Sequence, residues 1–343
     1  MISKTDYITH LKHPAWLWLR KHDPEFLPTP DENSQAIIEE GREFEKLAEQ
    51  IFPEAIRLDG NNYADMQEWT DETKALLEQD VETILQAAFL YDGFLCIADA
   101  ITKDGEGYIL TEIKATTSPD KEHICDLAFQ KTVIEWSGLP ITSSRVLHAN
   151  KEYIRHGDIK LEEIVAFTDV TEKVNKEILN APEQMRAAAQ AAELEGMPSD
   201  SLRYVGLGAA GDYREIFSKL HPDIPEYSIY DLASNKGAGT DKLIGGLEDD
   251  GVAMIVDIPA STKLQKHQQD QVRVTKLDEV IVDKEAIRAF LGDIAFPVYF
   301  LDYESINHIF PPFDNTFPYQ QVVFQYSLHT MAEDGTLTPT EYL

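Results

Sequence analysis

Apolar residues recur at helical spacing over residues 34–52, at Ile37, Phe44, Leu47, Ala48 and Ile51. This predicts a helix with Ser34 as N-cap and Pro53 closing the run. Gly41, Glu45 and Glu49 form an i, i+4 row beside that stripe, so Glu45 either looks in at a sheet edge or is a solvated helix acid. A second amphipathic helix is predicted over residues 121–136, with Leu127, Ile134 and Trp136 among its apolar positions and Asp126 and Gln130 one turn apart. Between the two, residues 97–114 read as an apolar strand, a turn at Asp104-Gly105-Glu106-Gly107 and a returning strand. Residues 168–211 have a helical character, with Gly196-Met197-Pro198 as a stop, and Leu243-Ile244-Gly245-Gly246-Leu247 suggests a glycine turn. Residues 252–259 fit a buried strand or a short core helix, which periodicity does not separate. Gly237-Ala238-Gly239 is a loop signal that lacks the flanking strand and Gly-Lys-Ser/Thr of a phosphate cradle. Near the end, Phe296-Pro297-Val298-Tyr299-Phe300-Leu301 is a strand running into Asp302-Tyr303-Glu304, with both acids on one face at its end. Residues 317–329 supply the next strand of that sheet.

Alternation along a strand puts Glu112 and Lys114 on one face with Ile113 on the other, and the turn returns them alongside Asp99. Two carboxylates and an ammonium at one sheet edge suit hydrolysis of phosphodiesters. Oxygen ligands hold Mg²⁺ or Mn²⁺, while a lysine orients water and offsets charge in the transition state. A solvated hairpin with an incidental salt bridge has the same spacing.

Glu45 on a helix, Asp99, Glu112-Ile113-Lys114 and a helix bearing Gln130, in that order, resemble the RecB-like branch of the PD-(D/E)XK nucleases. Local phrases extend the resemblance: Gly41-Arg42-Glu43-Phe44-Glu45, Asp126-Leu127-Ala128-Phe129-Gln130 and His148-Ala149-Asn150-Lys151-Glu152-Tyr153. Together they are similar to a bacterial family that joins such a nuclease domain to a DnaQ-like exonuclease domain. The resemblance implies an α/β chain. A restriction-endonuclease-like mixed sheet flanked by helices would occupy residues 1–165 and a helical middle region 166–295. The opening strands of an incomplete RNase H-like domain would occupy 296–343.

It also implies roles. Glu45, Asp99 and Glu112 would hold Mg²⁺ or Mn²⁺, with the Ile113 carbonyl as a further ligand; Lys114 would position the attacking water; Gln130 would contact substrate or orient the lysine. Asp302 and Glu304 resemble the first acidic motif of DnaQ-like exonucleases, which helps hold two metal ions; an ordinary polar strand end is the alternative. Later acidic motifs have no room before Leu343, so the expectation is a fragment or a structural remnant, without exonuclease activity of its own. Relatives often carry four cysteines that bind an iron–sulfur cluster. The matching phrases here, His13-Pro14-Ala15-Trp16-Leu17-Trp18 and residues 209–221, contain none. No iron–sulfur cluster is expected, and packing or hydrogen bonds must replace that staple. A zinc site from His13 and His221 is disfavoured against ordinary structural roles.

Charge opposes a nucleic-acid partner. The 343 residues carry 61 acids against 30 bases, a net charge of -31, whereas polyanions are normally met by basic surface. Screening over about 8 Å makes local patches matter more than the total. Lys4, Lys12, Arg20 and Lys21 form one such patch against Asp6, and Arg145, Lys151, Arg155 and Lys160 form another against Glu152 and Asp158. Trp16, Trp18 and Tyr153 among them are placed either to stack on unpaired bases or to anchor the core. Two cysteines, Cys96 and Cys125, argue against a disulfide framework and fit a reducing cytoplasm, and neither a signal peptide nor a membrane span is visible. The expected function is metal-dependent phosphodiester hydrolysis of nucleic acid, DNA first. The competing expectation is a catalytically inactive nuclease-fold scaffold or protein-binding module.

Overall fold

The hairpin read from residues 97–114 is the centre of a sheet. In the computed structural model, which describes residues 1–62, 64–224, 227–233 and 238–343 (side chains of 238–242 excepted), the chain is a mixed α/β protein. It divides into two compact units: Met1–Asp200 with Tyr204–Ile216 and His308–Gln320, and Ser201–Arg203 with Phe217–Asn307 and Gln321–Leu343. The first unit runs β1 (Ile2–Ser3), α1 (Lys4–Lys12), α2 (Pro14–His22), α3 (Glu32–Glu49), β2 (Ile56–Arg57), α4 (Met66–Glu78), β3 (Thr83–Tyr91), β4 (Phe94–Asp104), β5 (Gly107–Lys114) and α5 (Lys121–Trp136). It continues with β6 (Ile141–Ala149), α6 (Leu161–Ile164), β7 (Val165–Asp169), α7 (Thr171–Glu177) and α8 (Ala181–Glu193). The chain then enters α9 (Ala210–Leu220).

The seven-stranded sheet is ordered β2-β3-β4-β5-β6-β7, with β1 also paired to β4. It is mixed: β4 and β5 are antiparallel, and α5 crosses over to bring β6 parallel to β5. Helix α5 has the predicted bounds, its cap at Asp120 accepting from the His123 N–H, and is buried on nearly every side, Leu127, Phe129 and Ile134 included. It lies between the sheet and helices α1, α7 and α8. On the other sheet face, Phe44 and Ala48 of α3 pack on Ile113, Leu147 and Ala149.

Several expectations are corrected. Helix α3 begins at Glu32, because Asp31 rather than Ser34 is its N-cap and accepts from the Ser34 N–H at 2.8 Å. Ile37, two turns before Phe44, is 69% exposed and lies outside the packed stripe. The four N-terminal cations form no open basic patch: Lys4 pairs with Glu112, Lys12 with Glu122, and Arg20 and Lys21 both with Asp6. In the second group, Arg145 lies over the Phe167 ring and Lys160 pairs with Glu163, while the Arg155 guanidinium donates to the carbonyls of Pro311 and Pro312. Tyr153 is buried, so it cannot stack on a base, and Trp18 donates to the Leu194 carbonyl at 2.9 Å and stacks on His22.

Asp6 is a buried electrostatic anchor for α1 and α2. Burial alone would push its carboxyl up, but the hydrogen bonds from Lys21 and Ser3 outweigh it and hold Asp6 below its usual range. A depressed folded-state pKa gives stability that is present above the unfolded value and lost as pH falls through the folded one. Asp6→Asn is therefore expected to lower stability at pH 7 by about 1–3 kcal/mol. In urea titrations that gap should narrow below about pH 4; a gap independent of pH would refute the ionic account.

The start of α2 meets the segment around Tyr213 within the first unit. His13 and Tyr213 stack with centroids 3.7 Å apart and planes 7° off parallel, and His13 Nδ1 accepts from the Ala15 N–H to cap α2. The Gly206 N–H donates to the Lys12 carbonyl, and a Cβ at Gly206 would overlap the Leu11 carbonyl oxygen. Glycine is needed there by this close approach.

Residues 308–320 belong to the first unit as a strap over α3 and the end of β5. Ile309 is fully buried in the Phe44–Ile113–Leu147 cluster, Tyr319 donates through its hydroxyl to the Ala115 carbonyl at 2.6 Å, and Glu40 accepts from the Ile309 N–H.

In the second unit, α10 (Ala238–Asp249), α11 (Lys266–Leu277) and α12 (Lys284–Gly292) precede an antiparallel sheet of β8 (Val298–Ile306), β9 (Val322–Met331) and β10 (Leu337–Tyr342). The glycine turn expected at 243–247 is instead the interior of α10, and residues 252–259 hold a 3₁₀ turn at Ile255–Asp257 beside an isolated antiparallel bridge from Met254 to Ser228. Of the loop signal at 237–239, Gly237 lies outside the described residues, and the other two positions open α10. Strand β8 runs on to Ile306, so Asp302 and Glu304 are mid-strand rather than at a strand end.

Candidate active site

The β4–β5 ladder stops at Ala100↔Thr111. Beyond it the strands part, and the Asp99 carboxylate rather than a backbone carbonyl accepts from the Ile113 N–H, at 2.8 Å. On the other side of β4 the ladder to β3 is interrupted at the same level: Leu85 pairs with Ala100 and Ala87 with Ala98, while Gln86 takes a positive φ of 57°. A non-glycine residue in that region is costly, and such strain concentrates at functional sites. Gln86 is held there by its contacts, its carbonyl accepting from Trp69 Nε1 and its amide donating to Glu49 Oε1.

Into this opening β5 turns Glu112 and Lys114, while Ile113 faces the α3 layer as alternation requires. Glu112 is completely buried. Lys114 Nζ lies 2.6 Å and Lys4 Nζ 2.8 Å from Glu112 Oε1, and the Gln130 amide donates to Glu112 Oε2 at 2.5 Å. Gln130 also donates to Asp126 Oδ1 at 2.8 Å, one helical turn back on α5. Both ammoniums approach Asp126 Oδ2, Lys114 at 3.3 Å and Lys4 at 3.7 Å. The structure thus brings Asp99, Glu112, Lys114 and Gln130 together. Glu45, solvent-accessible but flanked by protein, is linked to them through the field of Lys114, Glu112 and Lys4 rather than by a hydrogen bond.

Electrostatics sort the acids. Burial alone would push Glu112 up, but the Lys114 and Lys4 ammoniums outweigh it and hold the carboxyl well below its usual range. Asp99 lacks such contacts; burial, and next the charge of Glu112, push it up to about 7. Asp126 is raised by the same two causes and Glu45 chiefly by its enclosure. Four carboxylates thus face two ammoniums, leaving an excess of negative charge that a divalent cation would match. The donors are hard oxygens, of the kind Mg²⁺ and Mn²⁺ take. Among the described residues no three His, Cys, Asp or Glu side chains are already gathered around one point as a metal site. The fit is therefore that of Asp99 and Glu112 as a pair, with further positions left to water and phosphate oxygens, the usual arrangement for Mg²⁺.

Sequence reasoning missed Lys4 as a member of the site and left Asp126 without a role. Strand β1 pairs with Phe94 and Leu95 on the edge of β4 that β5 leaves bare, so α1 starts beside the opening and its first residue reaches Glu112. Only that long-range pairing reveals Lys4. The Asp126–Gln130 spacing was a local signal for a shared helix face. Asp302 and Glu304 lie exposed on β8 opposite Ser327 and Gln325. His13 is committed to its cap and its Tyr213 stack, and His221 packs on Phe217.

Comparisons with known proteins leave the family open. A domain of unknown function, DUF2779, matches residues 299–343. No curated protein matches the chain. Among solved structures, "Crystal structure of SSO0001" is similar at 16% identity, covering 60% of this chain and 82% of that one with a TM-score of 0.26. An alkaline exonuclease (LHK-Exo) from Laribacter hongkongensis is similar at 13% identity, covering 37% and 72% with a TM-score of 0.21. The chemistry of the site has to come from its own groups. No helix among the described residues is long and apolar enough to cross a membrane.

Proposed function

We propose that the first unit is a Mg²⁺- or Mn²⁺-dependent nuclease, hydrolysing phosphodiester bonds, of DNA in the first place. The observation that carries this reading is the opening between β4 and β5, where Asp99 is held by the Ile113 N–H beside Glu112, with Lys114 on the Glu112 carboxylate. Asp99 and Glu112 would hold the metal, with Glu45 as an outer acid near the opening. The bound metal would polarise the phosphoryl oxygens and lower the pKa of water. Lys114 would orient the attacking water and offset negative charge as the pentavalent transition state forms. Gln130 fixes Glu112 Oε2 and Asp126 at once, so its part is to orient the carboxylate. The likeness in sequence order to RecB-like nucleases supports the same assignment.

One observation favours the non-catalytic module. Lys12, Arg20 and Lys21 are all paired with acids of this unit, which leaves less cationic surface for a polyanion. Cleavage of labelled single-stranded DNA, duplex DNA and RNA with Mg²⁺, Mn²⁺ or chelator decides between them. Metal-dependent cleavage lost in Asp99→Asn is expected; no cleavage of any of the three by folded protein under every condition would favour the module.

Metal should also stabilise the fold, because a cation bound only by the folded carboxylates shifts unfolding by mass action. At 100 times the dissociation constant the gain is about 2.7 kcal/mol. The rise in melting temperature with Mn²⁺ should shrink in Asp99→Asn, and equal rises in both proteins would show that the acids form no joint site.

A further inference from the structure

We propose that Lys4 is a place-holding counter-cation: its ammonium neutralises Glu112 and Asp126 in the metal-free protein and gives up Glu112 Oε1 when a divalent cation binds. The inference rests on the metal-site reading of Asp99 and Glu112. Lys4 occupies the first position of α1, where the helix dipole opposes a cation, and Asp6 is the acid that serves that turn. The helix therefore does not account for the lysine. What accounts for it lies more than a hundred residues away: Lys4 Nζ is 2.8 Å from Glu112 Oε1 and 3.7 Å from Asp126 Oδ2.

That Glu112 oxygen already has the Lys114 ammonium at 2.6 Å, so two like charges share one acceptor. Such crowding is stable where carboxylates outnumber cations, as they do here, and it yields when a stronger cation arrives. Lys114 is built into β5 two residues from Glu112 on the same face. Lys4 comes from a separate element, the first turn of α1, so it can leave Glu112 without disturbing the ladder that carries Lys114. The remaining Glu112 oxygen stays fixed by Gln130.

Calorimetric titration of Mn²⁺ into the full chain, with no substrate present, tests this. Lys4→Met should bind Mn²⁺ roughly tenfold tighter than wild type, since one competing charge is gone. It should also melt at a lower temperature without metal and show a larger rise with it. Lys4→Arg keeps the charge and should bind as wild type does. Lys4→Gln serves as a second neutral variant if Lys4→Met does not fold. Failure of both to fold even with Mn²⁺ would overturn the proposal, because a place-holder must be replaceable by the metal. Unchanged or weaker Mn²⁺ binding in a folded neutral variant would overturn it as well. Asp99→Asn separates the two levels. If it weakens Mn²⁺ binding while Lys4→Met fails to tighten it, only the role of Lys4 falls; if wild type and Asp99→Asn bind alike, the metal-site reading falls with it.

Discussion

Lys114→Ala is expected to reduce Mg²⁺-dependent cleavage by on the order of a hundredfold or more, the usual consequence of removing one preorganised group that meets charge developing in the transition state. The fold should survive. Glu112 Oε1 keeps the Lys4 ammonium at 2.8 Å and Oε2 keeps the Gln130 amide, so the buried carboxylate is not abandoned. Circular dichroism and the melting temperature of the variant should therefore stay close to wild type while turnover collapses. The loss should fall on kcat more than on KM if the lysine acts on the reacting water rather than on ground-state binding. Lys114→Arg should recover little, because a planar guanidinium cannot place a point charge where the ammonium sits. Purified Lys114→Ala protein that cleaves as wild type does would remove Lys114 from the catalytic assignment.

What could be read from the chain follows the range of the interactions that decide it. The α5 bounds, the hairpin of β4 and β5 and the sharing of one face by Glu112 and Lys114 are set within a few residues, by a cap at Asp120, a Gly105 turn and strand alternation. The convergence of Asp99 with Glu112 follows from the same hairpin. Lys4 was not legible, since it enters only because β1 pairs on the edge of β4 that β5 vacates. The strap was hidden for a related reason. Residues 317–321 look like the approach to a strand, yet Tyr319 and Ile309 are spent on Ala115 and the α3 cluster, which no local pattern announces. Counting charges along the N-terminus suggested a basic patch, but the acids that neutralise Lys4 and Lys12 lie more than a hundred residues away. The α3 start was a closer contest. Asp31 and Ser34 are both good caps, and the chain takes the earlier one, extending the helix by a turn.

Glu112→Ala should be the most destabilising change in the site, by about 3–5 kcal/mol, the cost of breaking a buried ion pair from one side. It strips the Lys4 and Lys114 ammoniums of their closest partner and leaves Asp126, at 3.7 and 3.3 Å, as the nearest remaining carboxylate. It also takes one acceptor from the Gln130 amide, which is itself fully buried. Removing both sides should cost less than removing one: in the Glu112→Ala, Lys4→Met double variant an uncompensated charge disappears, and part of the lost stability should return. Urea unfolding of the two single variants and the double variant at pH 7 gives the coupling directly. A double variant as unstable as the sum of the singles would show that Lys4 and Glu112 do not act on each other. In saturating Mn²⁺, Lys4→Met alone should cost less stability than it does without metal, because the cation then neutralises Glu112 in place of Lys4.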